Sequence, residues 1–210
     1  MTEVSNVTAS ILSLCGPSGV GKTTVVRALS NRYPVFIETT NGNPHLKGLL
    51  QGNLDFNAAA NQEWFLRRIG RCISRANSRS PLILDQDPAA IVLAYSRIFL
   101  EDGKMTETQY ASLLERLMKI EEKLKEWRCP RTVLLLDAPA DVLRQRVFQR
   151  WGKSRTPPLT WFERVRNHFV QLFTCFPNAI VVSTVNLSAE EVIARAKSLL
   201  EDRTKTVKRD

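Results

Sequence analysis

The strongest chemical signal in the chain is a short run near its amino end. Gly16, Pro17, Ser18, Gly19, Val20, Gly21, Lys22 and Thr23 fit the spacing G-x-x-x-x-G-K-[ST] at every fixed position. Glycines let consecutive backbone amides turn inward around phosphate oxygens. A lysine after the last glycine can reach the β- and γ-phosphates, and the next hydroxyl suits Mg²⁺. The apolar run Ile11–Cys15 precedes the loop and a helical pattern, Thr24–Leu29, follows it. A helix opening at this point adds its positive dipole end to the phosphate cradle. The set Gly16 to Thr24 therefore reads as a site for the phosphates of ATP with Mg²⁺.

Moving a phosphoryl group takes more than a cradle. It takes a carboxylate near the acceptor and cations over the transferring group. Asp85 ends the apolar run Pro81–Leu84, which places it at the carboxyl edge of a parallel sheet, where ligands bind. It can meet an acceptor hydroxyl or hold Mg²⁺ with Thr23, directly or through water. Asp87, two residues on, reads either as an acceptor contact or as a helix cap before Pro88. Asp137 also ends an apolar strand, with capping and catalysis both open. Arg144, Arg146, Arg150, Lys153 and Arg155 lie ahead of Pro157-Pro158 and read as a lid over the phosphates. Arg150 and Arg155 are its candidate catalytic cations, because a guanidinium fork binds phosphoryl oxygens bidentately.

The elements that must position these groups are legible as alternating strands and helices. Ile11–Cys15, Val35–Ile37, Leu82–Leu84, Val133–Leu136 and Ile180–Val182 are short aliphatic runs, expected to be strands buried on both faces. Between them apolar residues recur at helical spacing, as in Tyr110, Leu113, Leu117, Ile120 and Leu124. Capping boxes are expected at Thr106–Gln109, Thr160–Glu163 and Ser188–Glu191. Trp161, Phe162, Phe169 and Phe173 read as core. The fold class expected is α/β: a three-layer P-loop NTPase fold with a five-stranded parallel sheet, flanking helices and a lid segment. One domain over residues 1–210 is expected, with the lid near 144–158 and a frayed tail near 203–210.

Composition narrows the classes further. Of 210 residues, 43% are hydrophobic and 24% charged, which excludes a disordered or coiled-coil chain. No apolar run is long enough to span a membrane, and the amino end has no secretory pattern. The four cysteines form no CxxC pair, and His45 and His168 have no ligand-like neighbours, so no zinc site is expected. A reduced, cytoplasmic compartment follows. The net charge is +9. It is concentrated in residues 64–84, which carry Arg67, Arg68, Arg71, Arg75 and Arg79 without an acid, and in residues 141–170. Such segments suit a polyanion, but no nucleic-acid-binding motif accompanies them.

The stretch from Leu84 to Gln109 resembles the deoxynucleoside kinase family, with thymidylate kinases close to it. Asp85-Gln86-Asp87 stands at the family's Glu-Arg-Ser motif, and Gly103-Lys104-Met105-Thr106-Glu107 matches the turn that opens its next helix. The resemblance implies Asp85 as the catalytic base. It implies Glu38, at the end of the second strand, near the acceptor sugar. Gln62, in Phe56-Asn-Ala-Ala-Ala-Asn-Gln62-Glu-Trp-Phe, resembles the glutamine that holds the base, with Trp64 beside it able to stack. Pro158-Leu-Thr-Trp-Phe-Glu163 resembles the segment after the lid. The implied activity is transfer of the γ-phosphoryl of Mg-ATP to the 5′-hydroxyl of a nucleoside or deoxynucleoside. A small-molecule acceptor, with no membrane or nucleic-acid partner, goes with it.

Departures keep other readings in play. Gln86 stands where the family has arginine, Ile91-Val92 where it has Asp-Arg, and no acid stands beside Arg155. The loop Gly-Pro-Ser-Gly-Val-Gly is closer to guanylate kinases. A nucleoside monophosphate kinase, with Arg67 or Arg68 on the extra phosphate, is one alternative. A P-loop nucleotide-binding protein without turnover is another. The family implies a homodimer through the Thr106–Trp127 helix, although its apolar stripe can equally face the protein's own core.

Overall fold

The computed structural model describes residues 10–38, 42–46, 57–75, 81–126, 131–153, 156–174 and 176–206, with side chains as far as Glu201. Five strands form one all-parallel sheet: β1 (Ile11–Cys15), β2 (Val35–Phe36), β3 (Leu82–Leu84), β4 (Arg131–Asp137) and β5 (Ala179–Ser183), in the order β2-β3-β1-β4-β5. The register runs Ile11 to Leu82 and Arg131, and Cys15 to Leu135. Because β1 lies between β3 and β4, the chain leaves their carboxyl ends toward opposite sides, and a crevice opens there.

The helices are α1 (Lys22–Leu29), α2 (Ala58–Ile73), α3, α4 (Glu107–Glu126), α5 (Ala140–Trp151), α6 (Leu159–Thr174) and α7 (Ala189–Thr206). The helix α3 runs from Pro88–Ala90 through a π-helical stretch, Ile91–Ser96, to Arg97–Glu101. On one sheet face Leu12, Leu14, Leu134 and Leu136 meet Val25 and Val26 of α1 and Val192 and Ala196 of α7. On the other, Cys15, Val133 and Leu135 meet Ala90, Ala94 and Ile98 of α3 and Phe169 and Phe173 of α6. Those two phenylalanines, with Phe162, have no solvent exposure. Each such ring contributes about 1.5–3 kcal/mol on burial.

Several details depart from the expectations. Among the described residues strand β5 is an edge of the sheet, and Val181 is 49% exposed, so the strand is not buried on both faces. Thr106 with Gln109 and Ser188 with Glu191 form reciprocal capping boxes. Thr160 does not cap, because α6 already begins at Leu159 after Pro157-Pro158. Helix α5 runs regularly to Trp151, so only residues after it are left for a lid. The apolar stripe of α4 is buried in the protein's own core with Phe65, Ile69 and Ile73 of α2, so it faces inward. The backbone stays helical through Thr206, past the expected start of fraying, and 207–210 lie outside the described residues. Among the described residues no helix is long and apolar enough to cross a membrane.

Candidate active site

The glycine-rich loop is seated by close approach. Gly16 (φ 143°) and Gly19 (φ 89°) lie in backbone conformations that side chains rarely adopt. A Cβ on Gly16 would run into the Leu136 carbonyl oxygen, and one on Gly19 would lie 2.8 Å from the Leu143 carbonyl oxygen. The loop is thus pressed onto β4 and α5, and only glycine fits at both positions. Lys22 is 8% exposed and lies back over the loop, donating to the carbonyls of Gly16 (2.7 Å) and Pro17 (3.2 Å). The Val20 amide donates to the Pro17 carbonyl and the Thr24 amide to that of Gly21. Among the described residues the amides of Gly19, Gly21, Lys22 and Thr23 have no backbone or side-chain acceptor, which leaves them for a ligand. Ser18 Oγ lies 3.4 Å from Tyr95 Oη.

Strand β3 delivers Asp85 directly to this loop. Thr23 Oγ1 donates to Asp85 Oδ2 at 2.8 Å, joining two groups 62 positions apart. Asp85 is 1% exposed, and its Oδ1 has no partner. Burial raises its carboxyl above the usual aspartate range, while the Lys22 charge and the Thr23 hydrogen bond oppose that rise. A hydroxyl beside an unpartnered carboxylate oxygen is the hard-oxygen donor set that suits Mg²⁺. Glu38, just past β2, lies alongside. Burial pushes its carboxyl up to about 7, with Lys22 opposing and the Asp85 charge adding to the rise. A carboxyl held near neutrality can take a proton at working pH.

The candidate acceptor residues come from separate elements. Gln62 and Asn61, on the first turns of α2, are both buried, and Asn43 donates to Asn61 Oδ1 at 2.8 Å. The helix is started by Asn57, whose side chain accepts from the Ala60 amide. Tyr95 is set over the loop by the π-helical stretch of α3, which Ser96 supports by donating to the Ile91 carbonyl five residues back. A π-turn inside an α-helix shifts the following side chains around the axis and recurs at functional sites. Tyr95 rests on Trp161 and Phe169 of α6. Burial raises its phenol above the usual range, and the Lys22 and Glu38 charges act on it.

Other sequence candidates lie elsewhere. Asp87 is fully buried. It caps α3 by accepting from the Ala89 amide and faces Arg131 at 3.5 Å, which itself pairs with Glu121 at 2.7 Å. Asp87 therefore anchors α3 to β4 and α4 and is not presented to an acceptor. Trp64 sits two positions from Gln62, on another side of α2, and is covered by the Arg68 guanidinium 4.5 Å from its ring. Arg150 is exposed on the last turn of α5 and lies over the Trp151 ring, 5.3 Å away, so it does not reach the loop here. Arg155 lies outside the described residues. Asp137 neither caps α5 nor stands free: it holds Arg166 bidentately at 2.9 and 2.8 Å. His168 contacts Glu101. Among the described residues no cluster of His, Cys, Asp and Glu forms a metal site of its own.

One part of the site escaped the sequence reading. A cavity of about 170 Å³ opens behind the loop, lined by Gly19, Gly21, Thr24, Leu136, Arg146 and Thr184. Arg146 donates to the Thr184 hydroxyl and carbonyl, both at 3.0 Å. It thus braces the turn after β5 instead of serving a lid. Its only sequence signal was a cation on a helix face, and Thr184 is 38 positions away.

Comparison with known proteins agrees with this architecture. A sequence family described as "AAA domain" matches residues 11–172. No curated protein matches the chain. Among solved structures, deoxyadenosine kinase from M. mycoides with bound dCTP superposes with a TM-score of 0.72 at 16% identity. The match covers 91% of this chain and 99% of that one. The same enzyme with bound dATP gives 0.71 at 16% identity over 91% and 99%. Its complex with products dCMP and a flexible dCDP gives 0.67 at 14% over 91% and 98%. The fold is therefore that of a deoxynucleoside-kinase-like P-loop protein.

Proposed function

The chain belongs to the AAA-domain family, and on that premise we propose that it is a kinase moving the γ-phosphoryl of Mg-ATP to the 5′-hydroxyl of a nucleoside or deoxynucleoside. The observation that carries the reading is the 2.8 Å contact between Thr23 and Asp85 with Glu38 alongside. It puts a metal-suited oxygen pair and a near-neutral carboxyl at the mouth of a phosphate loop. In this reading Thr23 and Asp85 hold Mg²⁺, which when bound neutralises charge on the β- and γ-oxygens. Lys22 exchanges its loop carbonyls for phosphate oxygens. Glu38 orients the acceptor hydroxyl and takes its proton as the oxygen attacks the γ-phosphorus. The bond to the bridging oxygen breaks, and ADP leaves with that electron pair. The base of the donor occupies the Arg146–Thr184 cavity, and Gln62 and Tyr95 face the acceptor. Relative to the resemblance, the base role passes from Asp85 to Glu38, because Asp85 is already tied to Thr23.

A nucleoside acceptor is favoured over a monophosphate. Arg67 pairs with Glu63 at 2.7 Å, and Arg68 is stacked on Trp64 and near Phe36, so neither is offered to an extra phosphate. The test is ADP release from Mg-ATP across nucleosides and their monophosphates, run beside Asp85→Asn. Turnover with a nucleoside, lost in the variant, is expected. Turnover with monophosphates alone moves the protein to the nucleotide kinases. Nucleotide binding with no acceptor-dependent turnover makes it a binding module. The deoxyadenosine kinase structures superpose on this fold with dATP, dCTP or dCMP bound, which motivates starting the panel with deoxyadenosine and deoxycytidine.

A further inference from the structure

A second charged concavity lies apart from the phosphate loop. It is a groove of about 630 Å³ between the later turns of α2 and α4. Its rim carries Arg67, Arg71, Arg116, Lys119 and Lys123. The floor is aliphatic, with Ile73 and Ile120 meeting across Gly70, where a Cβ would already lie 3.6 Å from Ile120 Cδ1. Glu63 is the acid that engages this rim, and one of its oxygens takes both Arg67 at 2.7 Å and Arg116 at 2.8 Å. Those guanidiniums hold the Glu63 carboxyl below its ordinary range, the Arg67 hydrogen bond most of all. Lys119 and Lys123 form no ion pair among the described residues, and Glu115 and Glu122 of the same helix do not line the groove. Arg71 donates its Nε to the Arg67 carbonyl.

We propose that this groove is a binding site for a compact polyphosphate anion, separate from the active site. Among the described residues Lys119 and Lys123, which form no ion pair, and Arg71 lie beside Arg67 and Arg116, which share one carboxylate, and the crowding leaves a local excess of positive charge that suits an anion. Arginine forks match phosphate oxygens bidentately, and lysines add mobile point charges. The aliphatic floor keeps water from one side and strengthens each contact. Among the described residues the groove's lining has no aromatic side chain, the stacking platform on which a nucleic-acid strand depends. A second copy of the chain is disfavoured too, since a two-fold contact would set this basic face against itself.

The experiment is calorimetric titration of sodium tripolyphosphate into the full chain carrying Lys22→Ala, which removes the phosphate loop's own grip. The same titration is made with Arg71→Ala, Lys119→Ala and Lys123→Ala added. These three side chains are exposed, so circular dichroism should show the fold unchanged. Binding should persist in the first protein and weaken at least about tenfold in the second, with affinity falling steeply between about 50 and 200 mM salt. In the chain with Lys22 intact, the triple substitution should leave nucleotide binding within about twofold. That arm separates failure of the groove from failure of the kinase reading. Equal affinity in the two Lys22→Ala proteins, or binding in neither, overturns the proposal. So does a short oligothymidylate that binds this groove more tightly than tripolyphosphate. A sedimentation dimer that the triple substitution dissolves overturns it in favour of a second copy.

Discussion

In the proposed reading, the donor and acceptor halves of the site are built in opposite ways. On the donor side the phosphate loop, Lys22 and Thr23 come from one continuous stretch, with Asp85 and Tyr95 as long-range hydrogen-bond partners. The acceptor side draws Glu38 from the end of β2, Asn61 and Gln62 from α2, Asn43 from a loop and Tyr95 from a π-turn in α3. The first is local in its amides and glycines and needs only β4 and α5 docked against it. The second exists only after the sheet has brought four segments together. A mostly contiguous device depends on few other parts of the chain, whereas an assembled one can be retuned by any of its parts.

The comparison breaks first at Lys22. Lys22→Ala should lower acceptor-dependent ADP release by about three orders of magnitude, as loss of a transition-state cation does. Its fold should hold, because the ammonium bonds only two loop carbonyls. A loss of less than about tenfold would mean the loop does not serve phosphoryl transfer. Next comes Glu38→Gln, expected to cut turnover about a hundredfold and to remove a limb near pH 7 from the profile of kcat/KM. The same substitution reports on stability. Glu38 binds its proton more tightly folded than unfolded, so its contribution to stability declines as pH rises from the ordinary 4.5 through about 7. Glu38→Gln should therefore gain on the native chain by on the order of 2 kcal/mol between pH 5 and pH 8 in urea unfolding. An equal difference at both pH values would show that the carboxyl is not perturbed. The smallest effect is at Arg146→Ala: KM for ATP should rise about tenfold with kcat held, while tripolyphosphate affinity at the loop is unchanged. A matched loss of both would place Arg146 on the phosphates instead of beside the base.

Legibility in the sequence followed the same division. The parallel sheet required only that apolar runs alternate with helical ones, and the five strands fall on their aliphatic runs, whereas the order β2-β3-β1-β4-β5 is seen only in the structure. The phosphate loop is likewise local. Asp85 was readable as the end of a strand and as sharing Mg²⁺ with Thr23, but the direct hydrogen bond between the two was not, since no spacing rule links positions 23 and 85. Arg146 shows the limit more sharply. Its type and position were plain, yet its bond to Thr184 depends on how β5 leaves the sheet. Tyr95 was invisible for another reason: helical periodicity assumes a regular turn, and the π-stretch of α3 rotates the residue out of that register. Asp87 was left open between an acceptor contact and a helix cap, because two acids in close sequence invite a shared role; the cap on Ala89 and burial beside Arg131 make it a tether.

The seating of Gly16 and Gly19 against the carbonyls of Leu136 and Leu143 has a thermodynamic consequence. The loop can hold its phosphate-ready shape only while β4 and α5 are docked beneath it. Whatever fills the loop therefore binds the folded chain and not the unfolded one, and mass action raises the cost of unfolding in proportion to the logarithm of ligand concentration. With the proposed nucleotide as that ligand, nucleotide supply and survival of the fold become one equilibrium, and scarcity of nucleotide would shorten the protein's lifetime.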